Sequence, residues 1–198
     1  NDGVITVNMP ENHPNTQNKV NALNVNLWSC YAAKTIAETD SSVNFAAFDT
    51  DSNGKLSASE LQVIFLIAGG ESAVGLNDPG GVWAMATSML CDINGDGTFA
   101  DESGEHGITL DNVRLLGVNS SYWGQNGYSQ FGERHRSSTG SSHDATIGVM
   151  AHELGHAYFD LPDLYDTSDY NPSSGIGNFG LMGGGPWGKK TSSEEPGS

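Results

Sequence analysis

His152-Glu153-Leu154-Gly155-His156 constrains this chain more than any other stretch. On an α-helix, side chains four residues apart project from the same side, so the two imidazoles can close on one Zn²⁺. Glu153 then stands beside the metal's open coordination position, placed to take a proton from a water whose pKa the ion lowers. That spacing is the working end of a zinc peptidase. The surrounding residues support a helix: Ile147, Met150, Ala151, Leu154 and Tyr158 recur at helical spacing as one apolar stripe. The two histidines lie nearly opposite that stripe, which points to a second buried or cleft-lining face. The competing reading is an ordinary helix with two solvent-facing histidines.

A zinc site needs a third protein ligand, and the residues after the helix offer one. The chain continues Phe159-Asp160-Leu161-Pro162-Asp163-Leu164-Tyr165-Asp166. Pro162 disfavours helical backbone at Leu161, so the helix is expected to stop near Asp160 and the chain to turn. Such a turn can return a carboxylate over the metal. Asp163 leads, with Asp160 second and Asp166 third, and calcium binding or turn capping is the rival role for all three.

HELGHAYFDLPDLYD at 152–166, with GIGNFGLMGGGPWG after it at 175–188, resembles the immune inhibitor A family of secreted bacterial metallopeptidases. The likeness is dense over 145–188 and looser over 43–144. It implies zinc ligands at His152, His156 and Asp163, Glu153 as general base, and Met182 in a tight turn beneath the metal. It also implies an α+β fold of the zincin type, with a twisted mixed sheet packed on the active-site helix and calcium-binding loops beside it. One departure stands out. Many members reach the Pro-Asp pair one residue sooner, with Gly at the bend that Phe159 and Asp160 occupy here.

Two acidic loops carry a different metal signature. Asp49 to Glu60 (DTDSNGKLSASE) fits the twelve-position EF-hand loop at every ligand place. Asp49, Asp51 and Asn53 take the first three, Gly54 makes the sharp turn, and Lys55 offers its carbonyl. Ser57 contributes a hydroxyl or a water contact and Glu60 two oxygens. The next run, LQVIFLIA, reads as a buried strand or as an exit helix. Asp92-Ile93-Asn94-Gly95-Asp96-Gly97-Thr98 repeats the first half of the pattern, but Ser103 at position twelve is no bidentate carboxylate. A polar turn explains that stretch as well.

Charge agrees with bound cations. The chain carries 24 acidic against 8 basic residues, a net −16. Nucleic acid and anionic membrane are therefore poor partners. No segment reaches the ~20 apolar residues of a bilayer span. The 198 residues fit one catalytic domain, expected to be the core of a longer precursor. Cys30 and Cys91 allow one disulfide, or two small buried thiols, and neither has the neighbours of a nucleophile.

Along the chain, Val4–Val7 suggests a short strand, Leu27–Thr39 a helix, and Val43–Phe48 a second short helix. Val82–Leu90 reads as helix, Ile108–Val118 as containing a strand, and 119–144 as Gly/Ser/Asn-rich loop. His143 reads as a helix-cap neighbour, and His13, His106 and His135 have no recommending spacing.

The expected activity is therefore that of a secreted zinc endopeptidase acting on protein or peptide substrates, with Zn²⁺ and Ca²⁺ as cofactors. Tyr165 and Tyr170 are candidates for stabilising the oxyanion. The alternatives are a calcium-dependent binding module or inactive relative, and a zinc hydrolase of non-peptide amides.

Overall fold

The computed structural model describes residues 3–10, 27–71, 82–89, 107–115, 117, 127–136, 142–165, 173 and 175–187. Branched and aromatic side chains suit a pleated backbone, and the run after the first acidic loop forms strand β1 (Val63–Gly70), not an exit helix. Next come β2 (Met85–Thr87), the hairpin β3 (Ile108–Leu110) and β4 (Val113–Leu115), β5 (Tyr128–Arg136) and β6 (Ser142–Asp144). Helix α1 (Leu27–Ala37) precedes the sheet and helix α2 (Ile147–Phe159) comes after it, with a 3₁₀ turn at Phe45–Phe48.

β5 is the centre of a mixed sheet: β1 pairs with it in parallel, while β2 and β6 pair with it antiparallel. The register puts Val63 and Phe65 on the same face as Tyr128. That face meets Ala32, Ala33 and Ile36 of α1, Leu56 of the acidic loop, and Val113 and Leu115 of the hairpin. Tyr128 is fully buried, edge-on to Phe65. Truncating a buried aromatic of this size costs about 3–5 kcal/mol. On the opposite face, Phe131 packs with Ala84 and with Val149 of α2. The hairpin turns at Asp111 and Asn112, both at positive φ as a two-residue primed turn requires. Asp111 also accepts the Phe45 N–H at 2.8 Å. Cys30 is disulfide-bonded, and Cys91 lies outside the described residues.

Several expectations are corrected. Val4–Val7 forms no strand. The stretch expected as helix over Val82–Leu90 instead holds β2, because pairing with β5 outweighs the helix propensity of Ala and Met. The presumed loop over 119–144 contains β5 and β6. It hides them because β5 buries polar residues: Ser129, Gln130 and His135 are all inside. Gln130 is satisfied by donating to the Trp83 carbonyl at 3.0 Å. β1 is not buried on both faces either. Ile64 and Leu66 are 39% and 61% exposed, since α2 packs on β5 and β2.

Candidate metal centre

Helix α2 carries the HELGH segment, and its buried side is the histidine side. His152, Glu153, Gly155 and His156 are buried together with Val149 and Ala157. The apolar stripe is the more exposed one, with Ile147 and Tyr158 at the surface. A solvent-facing pair of histidines is therefore ruled out. The helix starts at Thr146, whose N–H approaches His135 Nδ1 at 3.5 Å. His143 pairs with His135 across β5 and β6 and does not cap the helix. Burial first, then the charge of His143, pushes His135 down to about 4, so it is a neutral acceptor at ordinary pH.

The helix ends as Pro162 demands, through Asp160 in the left-handed conformation (φ 54, ψ 33). Asp is among the few residues that tolerate this region, and Gly is the usual occupant. Asp160 N–H returns to the His156 carbonyl (3.0 Å), and Leu161 N–H reaches the Gly155 carbonyl (3.1 Å). This bend presents the Leu161 carbonyl to His156 Nδ1 at 2.6 Å. It also swings Asp163 over the helix: Asp163 Oδ1 lies 3.1 Å from His152 Nε2 and 3.3 Å from His156 Nε2. Asp160 serves the bend and stays out of this cluster; Asp166 lies outside the described residues.

The segment at 175–187 closes the other side. Leu181 accepts from His152 Nδ1 at 2.8 Å, and Met182 is buried against Gly155. A Cβ at Gly155 would stand 2.5 Å from the Met182 sulfur, so only glycine allows that approach. Leu164 N–H donates to the Met182 carbonyl at 2.7 Å, tying the two segments together. The turn expected at Gly183–Gly185 is present, with Gly184 N–H donating to the Gly177 carbonyl at 2.7 Å.

The donor and acceptor inventory decides what this cluster can hold. Each histidine gives its Nδ1 proton to a backbone carbonyl, so that in the neutral form the Nε2 lone pair faces inward. The two Nε2 atoms are 3.1 Å apart and share a carboxylate oxygen that is buried. Burial is the main reason His152 titrates below its ordinary value, with the charge of His156 adding to it. Three acceptors converge where a proton donor or a cation must sit. Two imidazole nitrogens and one carboxylate oxygen could hold a divalent metal ion of the zinc type.

Glu153 stands beside this cage and is nearly buried. Burial, then the negative charges of Asp163 and Glu71, raises it to about 8, against the lowering effect of the Ala86 N–H. Tyr165 stacks on His152 with ring centroids 6.5 Å apart. Its hydroxyl lies near Asp163, and burial, then the Asp163 charge, pushes it up to about 12. Glu71 and Ala86 were not identified from the sequence. A lone acid after an apolar strand is the sole trace of Glu71 there.

Residues 135–198 match the family "Immune inhibitor A peptidase M6, catalytic domain". Over these residues the chain is similar to the M6 family. The match agrees with the family resemblance read from the sequence and supports a metallopeptidase. It covers His152, Glu153, His156, Asp163 and Met182. No curated protein and no solved structure matches the chain.

A second acidic cluster lies at 49–60. Carboxylate oxygens of Asp49, Asp51 and Glu60 fall within 4.8 Å of one another. Asp49 accepts the N–H groups of Asn53 (3.0 Å) and Gly54 (2.9 Å), and Asn53 Oδ1 accepts that of Lys55 (2.8 Å). Glu60 accepts from the N–H and hydroxyl of both Ser57 and Thr50. These bonds, the Ser57 N–H foremost, hold Glu60 down at about 2. The loop is anchored by Leu56, which enters the core while its N–H donates to the Arg114 carbonyl. Asp92, Asn94, Asp96 and Thr98, together with Tyr170, lie outside the described residues.

Proposed function

We propose that this chain is the catalytic domain of a secreted, zinc-dependent endopeptidase. The observation that carries the reading is the convergence of His152 Nε2, His156 Nε2 and Asp163 Oδ1 as three inward acceptors. These residues would hold the ion, with Met182 packed beneath them. When bound, zinc supplies Lewis acidity, lowering the pKa of a water and polarising the scissile carbonyl. Glu153 accepts the proton of the attacking water and returns it to the leaving amine nitrogen. Its burial keeps the carboxyl close to neutral pH in proton affinity, which suits a group that must both take and give a proton. Tyr165 steadies Asp163 through its hydroxyl. Protein and peptide chains are the substrates, in keeping with the M6 family.

The loop at 49–60 is assigned to Ca²⁺, with Asp49, Asp51, Asn53, Lys55, Ser57 and Glu60 as ligands, and the loop at 92–103 to a second Ca²⁺. Their role is to tie down loops that the enzyme itself could otherwise cut. Purified protein should contain one equivalent of zinc by elemental analysis. Glu153→Ala should retain that zinc and lose at least ~100-fold in casein turnover, the lower range of a general-base contribution. A variant cleaving casein as fast as the parent would rule out the assigned base, and zinc-free native protein would favour a calcium-dependent binding module.

A further inference from the structure

Glu71 is a fully buried carboxylate for which the proposed reaction has no direct use. It sits just past the end of β1, where three segments meet. Its Oε1 accepts the Ala84 N–H and its Oε2 the Gly132 N–H, both at 2.9 Å. Its own N–H donates to the Arg134 carbonyl at 2.8 Å, and the adjacent Val82 N–H donates to the Gly70 carbonyl at 2.6 Å. One side chain therefore joins the central strand β5 to the residues that lead into β2. Gly132 makes the approach possible, since a Cβ there would stand 2.8 Å from the Glu71 nitrogen. Two residues beyond Ala84, Ala86 lies near Glu153, where β2 packs on α2 and the Ala86 N–H lowers the proton affinity of the Glu153 carboxyl.

We propose that Glu71 is a positioning residue for Glu153. By gripping Ala84 and Gly132 with its two oxygens, it sets β2 against β5 so that the Ala86 N–H meets the Glu153 carboxylate. Both partners of the grip are donors, so only a side chain with two acceptors satisfies them. A glutamine has one acceptor and would turn its NH₂ against an N–H. Burying a carboxylate beside a second carboxylate is costly, and an apolar residue could fill the same space, though not hold both amides. The inference rests on the peptidase reading of Glu153.

The test is Glu71→Gln, in metal-free and zinc-loaded protein. In the metal-free protein, hydrogen exchange at the Ala84 and Ala86 amides should accelerate at least ~10-fold, while amides in the β1–β5 ladder keep the parent's rates. In the loaded enzyme, zinc content and KM should stay within ~3-fold of the parent and kcat should fall ~10-fold or more. Placed on Glu153→Ala, the same substitution should leave the residual turnover unchanged, because it acts through the missing base. Unchanged Ala86 exchange, an unchanged kcat, or an equal loss in the Glu153→Ala background would overturn the proposal. If Glu71→Gln does not fold, Glu71→Asp, which keeps two acceptors on a shorter arm, carries the same three measurements with smaller shifts. A parent that cleaves no peptide would remove the peptidase reading, while the exchange experiment would still decide whether the grip exists.

Discussion

The loop at 49–60 and the pocket around His152 each gather three metal-ligating side chains, yet they are built in opposite ways. In the loop, the carboxylates already have donors: Asp49 and Glu60 accept backbone N–H groups and hydroxyls from their own segment. In the pocket, three acceptors from a helix and the bend beyond it face one another, and the donors lie outside, on Nδ1. The loop is therefore self-supporting, and a cation would only add to it. The pocket is held open by the fold against its own electrostatics, and a cation would relieve it. The first design is local and tolerant. The second stores unfavourable contacts at the candidate metal centre.

The largest expected effect tests the pocket. Asp163→Ala should weaken zinc binding by more than ~100-fold, beyond the loss from an outer-shell partner, as measured by competition with a chelator. The metal-free variant should nonetheless be at least as stable to urea as the metal-free parent, because it removes one of three acceptors that face one another and the exposed Tyr165 hydroxyl can turn to water. A marked loss of metal-free stability would break the comparison. The same experiment on the loop has the other sign. Asp49→Ala should cost about 1–2 kcal/mol without any calcium, since two N–H groups lose their acceptor.

A pH titration of metal-free protein sharpens the contrast further. Glu60 sits at about 2 in the folded chain against an ordinary 4.5. The stabilisation it contributes is complete above pH 4.5 and is lost as pH falls through about 2. Glu60→Gln should flatten that part of the acid-stability curve, measured by circular dichroism. The smallest effect belongs to the bend. Asp160→Gly, at a left-handed position, should change stability by less than about 1 kcal/mol, toward stabilisation, and leave zinc affinity alone. Loss of zinc in this variant would make Asp160 a ligand after all.

How much could be read in advance depends on how far apart the partners lie in the chain. The acidic loop has its candidate ligands within one contiguous stretch, so spacing alone picked out Asp49, Asp51 and Glu60, whose carboxylates the fold brings together. The active helix announced itself by the four-residue interval of its histidines, and Pro162 marked where it had to bend. β5 was missed for a definite reason. A strand at the centre of a sheet normally reads as an apolar run, but Ser129, Gln130 and His135 are buried there with polar side chains. β2 was missed because Met85-Ala86-Thr87 has no strong local preference and takes its shape from its neighbour. The apolar stripe of α2 also misled, since the chemistry of the site claims the inner face of the helix.

By itself, the sequence determined which side chains could act: a helix with paired imidazoles and a carboxylate, a proline-forced turn carrying aspartates, and a loop with calcium spacing. Those depend on distances of a few residues, which backbone geometry converts directly into space. Tertiary structure alone brought Asp163 against the histidines, set the Leu161 and Leu181 carbonyls on their rings, and tied β2 to β5 through Glu71. Such choices depend on contacts between residues up to 61 positions apart, where the winner is set by competing packing and hydrogen bonds that no local pattern encodes.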